Sequence, residues 1–372
     1  MEKTENKFWV KTKRILSYIF VDGMSGMALG LFATLIIGTI IENVGNLIGG
    51  SFGRYIIIIG QVAKFMMGAG IGLGMGYKLK KAPLVSISAG VVGLLASFAA
   101  KALRGEAMNF LLYMNMASST PPKYITSVGE PLTAFIAAFV ALEVGALVSG
   151  KTKVDIIVTP LVAILSGATI ALLLAIPLSE FIAFLSRIIQ KSGEQQPFLM
   201  GVLVAVLMGI FLTLPISSAA IGVMLQLNGV VAGAAVVGCC CHMVGYAVMS
   251  FRENKWGGLV AQGVGTSMLQ MPNLVRKPIL WLPPIIASAI LGPISSVALG
   301  MTSTAVGSGM GTAGLVGVIE TFTAMSANQH WALVLLQIVG IDILAPAVIC
   351  LAISEFMRKK GWIKFGDLKL DL

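Results

Sequence analysis

The chain has 372 residues, 57% hydrophobic and only 11% charged, with a mean hydropathy of +0.92. Soluble domains carry about 25% charged residues, so a water-soluble globular protein is excluded. Lys and Arg number 26 against 16 Asp and Glu, a net charge of +10, but in so apolar a chain this excess first reports membrane orientation, and no basic stripe with interleaved aromatics points to nucleic acid.

Residues 7 to 21 (KFWVKTKRILSYIFV) mix bases with Phe8, Trp9, Ile15, Leu16 and Ile19, which predicts an amphipathic helix at the cytoplasmic interface within a lead-in over 1–22. No small-residue cleavage site follows a short apolar core, so no removable signal peptide is read. Spans are predicted at about 24–43, 55–77, 83–100, 132–149 and 155–177, each near the roughly 20 residues that a crossing needs. Lys78, Lys80 and Lys81 follow the second span and Lys151 and Lys153 the fourth. They fall on the side of Lys3, Lys7, Lys11, Lys13 and Arg14 before the first span, and of Arg358, Lys359, Lys360, Lys364 and Lys369 after the last. Both termini are therefore placed in the cytoplasm. The stretch 101–131, broken by Ser-Ser-Thr-Pro-Pro at 118–122, reads as an external connection.

Glu180, Arg187, Lys191 and Glu194 coincide with Gly193 and Pro197, and this predicts a boundary between an N-terminal membrane half, 23–192, and a C-terminal half, 197–358, followed by a cytoplasmic tail, 359–372. From Gln195 to Phe251 there is no Asp, Glu, Lys or Arg. As one helix this run would extend roughly 85 Å at about 1.5 Å per residue, against a hydrocarbon core of about 30 Å, so it crosses at least twice. In the second half prolines and glycines interrupt the apolar segments. Crossings are predicted near 198–213, 220–250, 279–299 and 331–357, with re-entrant hairpins over 256–275 and 303–325, because irregular backbone survives at membrane depth only against protein or a wet cavity. The fold class is an all-α polytopic membrane protein of about nine or ten crossings plus two re-entrant hairpins.

Three polar constellations stand out. The first is the uncharged run from Pro278, which turns glycine-rich at Gly307, Gly309, Gly311, Gly314 and Gly317 and ends on Glu320. The glycines permit close ligand approach, and Thr302, Ser303, Thr304, Ser308, Thr312 and the Glu320 carboxylate can hydrogen-bond a polyhydroxylated solute. The alternative is helix packing, with Glu320 paired to Arg252 or Arg276. The second is CCCHMVGYAVMSFREN, in which His242 either donates to a ligand hydroxyl or is a satisfied core residue, and adjacent Arg252 and Glu253 lie on different helix faces as an interfacial anchor. The third is GGLVAQGVGTSMLQMPN, whose Gln262, Thr266 and Asn273 suit a neutral polar ligand or bridge helices. Asn228, before Gly229, poses the same choice and marks a local unwinding.

Other chemistries lack their residues. There is no GxxxxGK[ST] loop for ATP, no metal-ligand spacing around His242 and His330, no dinucleotide fingerprint, and hence no cofactor. Cys239, Cys240, Cys241 and Cys350 read as buried packing residues. Glu130, Glu143, Asp155, Asp342 and Glu355 lie close enough to spans to take part in proton movement.

PISSAAIGVML at 215–225, GCCCHMVGYAVMSFREN, GTSMLQMPN, LPP at 282–284, LGPISS at 291–296 and GMGTAGLVG at 309–317 resemble the membrane IIC subunits of bacterial phosphotransferase-system sugar transporters. More closely they resemble the IIC-like branch that includes proteins named as toxin-gene regulators. The resemblance implies a homodimer in a bacterial inner membrane, an N-terminal half that forms much of the interface, and a C-terminal half that holds one sugar through two re-entrant hairpins. A separate IIB protein, supplied by IIA, would phosphorylate the sugar, so the chain is a membrane component of a phosphoenolpyruvate-dependent system without a nucleophile of its own. GVIE at 317–320 is similar to the family's Gly-Ile-Thr-Glu, without its threonine, and implies that Glu320 accepts a sugar hydroxyl; His242 is the candidate for a second family ligand. Two further readings are a non-transporting membrane sensor or regulator with this fold, and a secondary transporter driven by an ion gradient.

Overall fold

The computed structural model describes residues 14–104 and 129–370. The basic residues before Arg14, most of the predicted lead-in and most of the 101–131 connection lie outside the described residues. Within them the chain is helical, and the isolated antiparallel bridge between Gly229 and Ser303 is the only strand-like pairing. Helix α1 (Arg14–Asn46) carries residues 14–21 continuously into the first span. It is followed by α2 (Gly50–Phe65) and α3 (Met67–Lys78), bent by 54° at Met66 where one span over 55–77 was predicted. Helices α4 (Pro83–Leu103) and α5 (Pro131–Val148) both open on a proline. Such a residue lacks the N–H that would be orphaned there anyway.

Helix α6 (Asp155–Gly193) runs for 39 residues through Pro160 and Pro177, where the sequence predicted a span ending near 177 and a break beyond it. At about 1.5 Å per residue it is roughly 58 Å long, nearly twice a hydrocarbon core of about 30 Å. Glu180, Arg187 and Lys191 lie on the exposed face of its last turns, while Ile182 and Ile189 on another face are buried with Met200 and Val204. Helix α7 (Pro197–Thr213) has 17 residues, fewer than the roughly 20 of a full crossing. Among the described residues seven helices are long and apolar enough to span, or eight if the bent pair α2–α3 is one span; against nine predicted segments, the bent pair and α7 make the difference. The predicted segment 220–250 divides into α8 (Ser218–Met224) and α9 (Gly229–Met249), broken at Asn228.

Helix α9 is the axis of the second half, and almost all of its residues are buried. Around it lie α7, α10 (Phe251–Val260), α12 (Pro278–Ala298), α13 (Val316–Ser326) and α14 (Trp331–Lys359), while the short α11 (Met271–Arg276) packs on α1. The helices approach at backbone contact. A Cβ at Gly238 of α9 would fall 1.9 Å from the Ala205 carbonyl oxygen of α7, and one at Gly30 of α1 would fall 2.0 Å from the Gly70 carbonyl oxygen of α3. Small residues allow this where lipid supplies no hydrophobic drive between helices.

Two ion pairs join the ends of α10 and α14. Arg358 grips Glu253 at 2.8 and 3.1 Å and donates to the Met249 carbonyl at 3.0 Å, while Arg252 meets Glu355 at 2.9 Å. The anchor predicted from adjacent Arg252 and Glu253 is thus two crossed bonds, each to a residue about a hundred positions away.

After α14 the chain turns back along α10 and α11. Lys277 Nζ lies 2.5 Å from Asp367 Oδ2. Partial burial opposes the ionised form of Asp367, but hydrogen bonds from Lys277 and from the Lys364 backbone outweigh it and hold the carboxyl below the usual carboxylate range. The stabilisation is complete above the ordinary carboxylate value and is lost only as pH falls through the lowered one.

Arg358→Ala strands a fully buried Glu253 and is expected to cost about 3–5 kcal/mol, whereas Arg252→Ala breaks a half-exposed pair and costs below about 1 kcal/mol. Thermal unfolding of the two purified variants checks the ranking. By the same measurement Gly238→Ala lowers the midpoint, as overpacking costs about 1–3 kcal/mol. Gly340→Ala, with nothing within 4 Å of the added Cβ, leaves it in place.

Candidate functional site

The loop between α12 and α13 folds back on itself around Gly307. Thr304 Oγ1 donates to Glu320 Oε2 at 2.6 Å and accepts from the Gly307 N–H at 3.3 Å. A Cβ at Gly307 would lie 2.7 Å from both the Glu320 Cβ and the Ser303 Oγ, so only glycine permits the loop to close over the acid. The break between α8 and α9 meets the same loop. Asn228 Oδ1 accepts from the Ala305 N–H at 3.3 Å, and Gly229 and Ser303 exchange backbone hydrogen bonds at 3.1 and 3.2 Å. Ser308 donates to the Ala305 carbonyl at 2.9 Å, and Ser218 of α8 donates to the Gly309 carbonyl at 2.7 Å. Two broken helices therefore place free backbone groups, hydroxyls, an amide and one carboxylate around a single loop. Asn228 is exposed, Glu320 is half-buried, and the buried Ser303 hydroxyl has no partner.

Of the residues nominated from sequence, Glu320, Asn228 and Ser308 come together here. Thr312 does not join them: beyond the left-handed Gly311 its hydroxyl turns to the Met243 sulfur of α9 at 3.5 Å. Thr304 is the residue sequence reasoning undervalued, since it was read only as a hydroxyl preceding the glycine run and its bond spans sixteen positions without a spacing signal. Arg252, a suggested partner for Glu320, is engaged by Glu355 instead.

His242 sits elsewhere on α9, fully buried. Its Nδ1 lies 3.0 Å from Thr213 Oγ1, which in turn lies 2.8 Å from Ser267 Oγ. Its ring packs between Tyr246 and Trp281, each at 5.9 Å, beneath Gly209, whose added Cβ would strike the ring. Nε2 is buried without a hydrogen-bond partner, and among the described residues no contact joins His242 to Glu320. One ring nitrogen is thus fixed by a hydroxyl relay while the other is left unsatisfied, which a native structure rarely leaves without purpose.

The amides of the third constellation form a closed network. Gln262 donates to Ser250 Oγ at 2.7 Å and to the Gly258 carbonyl at 2.9 Å, and Gln270 donates to Gln262 Oε1 at 2.8 Å. Asn273 donates to Gln270 Oε1 at 2.8 Å and to the Lys369 carbonyl at 2.8 Å. Thr266 caps the Met268 N–H at 3.2 Å. Here the helix-bridging alternative describes what Gln262 and Asn273 do. Cys239, Cys240, Cys241 and Cys350 are free thiols buried among helices. Among the described residues no group of three or more His, Cys, Asp or Glu side chains is placed to hold a metal.

The site thus joins a glycine loop closed on an acid to a broken central helix, within a bundle of membrane-length helices. Comparison with curated proteins returns no match. Over residues 21–370 the sequence matches the family described as Phosphotransferase system, EIIC. The chain therefore belongs to the EIIC family, as a multi-pass membrane sugar-transport subunit of the kind that works with IIB and IIA proteins.

Proposed function

We propose that the chain binds one sugar at the loop closed on Glu320 and carries it across the membrane by moving the C-terminal half, 197–358, against the N-terminal half, 23–192. A separate IIB protein phosphorylates the sugar on the cytoplasmic side, where both termini lie, and the working unit in the bacterial inner membrane is a homodimer. The observation that carries the binding role is the bond between Thr304 and Glu320 at 2.6 Å. It already joins a hydroxyl to the carboxylate, which is the chemistry by which a sugar hydroxyl would be held. Asn228 and Ser308 line the same loop, while Gln262, Thr266, Asn273 and Thr312 act through the scaffold around it. His242 contributes its unsatisfied Nε2 from below, once the ring can leave Gly209.

The segments 256–275 and 303–325 are the two re-entrant hairpins. In support, each contains helical turns interrupted by extended or left-handed residues: Thr266 in the first, Leu315 and Gly314 in the second. Irregular backbone of this kind at membrane depth is characteristic of a substrate path. We read the chain as a member of the IIC-like branch that includes proteins named as toxin-gene regulators, and in support GVIE at 317–320 departs from the sugar-transporter pattern by its missing threonine.

One observation favours a second reading, transport driven by an ion gradient. Asp342 lies fully buried in a π-helical turn of α14, and neither of its carboxyl oxygens has a hydrogen-bond partner. A carboxyl held so within a bilayer is costly and marks ion or proton paths.

Glu320→Gln is expected to weaken sugar binding by about ten- to a hundredfold, the worth of a hydrogen bond to a charged acceptor, with the oligomer still folded. Calorimetry on the best binder from a thermal-shift screen of sugars reads it; unchanged affinity rejects the site. Uptake into vesicles separates the couplings. Sugar accumulation that requires phosphoenolpyruvate and a IIB protein supports the first reading, and accumulation under a proton or sodium gradient alone that is abolished in Asp342→Asn supports the second.

A further inference from the structure

The segment that follows α14 is bound far more closely than a loose tail. Asn254 Nδ2 donates to the Leu368 carbonyl at 2.8 Å, and Asn254 Oδ1 accepts from the Leu370 N–H at 2.9 Å. Gln270 adds a second bond to the Leu368 carbonyl at 3.0 Å, and Asn273 holds the Lys369 carbonyl at 2.8 Å. The Lys277–Asp367 pair closes the row, and the Gly366 N–H reaches Glu253 at 3.4 Å. Three side-chain amides, drawn from α10, the turn after it and α11, thus read the backbone of residues 368–370 as a further strand would. Leu368 is completely buried.

The far end of this strap crosses to the other half. Leu370 packs with Ala28 and Phe32 of α1 on one side and with Ala261 and Leu269 on the other. A small cavity beside it is lined by Ser25 and Ala28 of α1 together with Leu269, Pro272, Asn273 and Leu370. Beyond the strap α1 meets the second half again, where Asn43 donates to the Gly314 carbonyl and Thr39 packs against Gly314.

We propose that residues 364–370 are a latch: bound along α10 and α11 and wedged against α1, they hold the N-terminal and C-terminal halves in one relative position, and the strap must leave before the halves move. The inference rests on the reading that transport moves one half against the other. The amides give the strap its register, the Lys277–Asp367 pair its grip, and Leu370 the wedge.

Thiol reactivity tests it in the full chain reconstituted in lipid nanodiscs, with a small charged methanethiosulfonate as probe and neither sugar nor phosphoryl donor present. The native cysteines are all buried and form the background. Ser25→Cys reports on the floor beneath the strap, and Thr39→Cys reports on the separate contact between α1 and the Gly314 loop. Two ways of releasing the strap are compared: Leu368→Asp with Leu370→Asp, and Asp367→Lys.

Release is expected to raise the Ser25→Cys rate by about tenfold or more, as for loss of a charge-assisted contact, and to raise the Thr39→Cys rate with it. Asp367→Lys combined with Lys277→Asp is expected to return both rates toward the starting values. A rise at Ser25→Cys alone, with Thr39→Cys unchanged, overturns the latch and leaves a surface strap. A rise at both positions that the charge exchange does not reverse also overturns it, because it signals loss of structure rather than release. Sugar binding plays no part in these readings, so failure of the sugar site and failure of the latch give different results.

Discussion

At membrane depth every backbone N–H and C=O needs a partner, and this requirement organises the whole molecule. Among the described residues of the first half helices meet it almost everywhere, and glycines such as Gly30 let them lie at backbone contact. In the second half the chain repeatedly abandons regular helix, and each departure is met by another part of the protein. Asn228 and the Gly229–Ser303 bridge receive the loop after α12, Ser218 receives Gly309, and Asn43 receives Gly314. The irregular segments are built into the wall of the bundle, and α9 is buried because it serves as the surface on which they are assembled.

The same requirement separates what could be read from the sequence from what could not. Burial has a composition, so the helical class and most span positions were legible, and the proline and glycine pattern marked the break at Asn228 and the folded loop before Glu320. Partners have no composition. Nothing in the spacing of Glu253 and Arg358 announces their bond across a hundred residues, and Gln262, Gln270 and Asn273 carry the same donors whether they face a sugar or a strap. Helix α6 runs past the span end predicted near 177 for a related reason. Polar residues line one exposed face and a proline sits within, but a helix ends only when its hydrogen bonds do, and those of α6 continue to Gly193.

Among the candidate ligands the structure also makes a distinction of state. Glu320 is engaged by a hydroxyl that another hydroxyl can replace with little loss, while the His242 ring is locked on one edge and pressed under Gly209 on the other. A residue of the first kind answers a ligand in place. In the proposed binding role, the second kind could answer only after α7 and α9 shift, so the two would serve at different moments even though they lie in the same half.

The 39-residue helix α6 carries a mechanical consequence. A rod roughly 58 Å long is nearly twice a bilayer of about 30 Å, and its two parts are held by different halves: Gly167 packs against Val92 and Ala141, whereas Ile182 and Ile189 are buried with Met200 and Val204 of α7. Any displacement of one half against the other must therefore bend this helix or slide along it, and Pro177, between the two contact regions, is where its hydrogen-bond ladder is already interrupted.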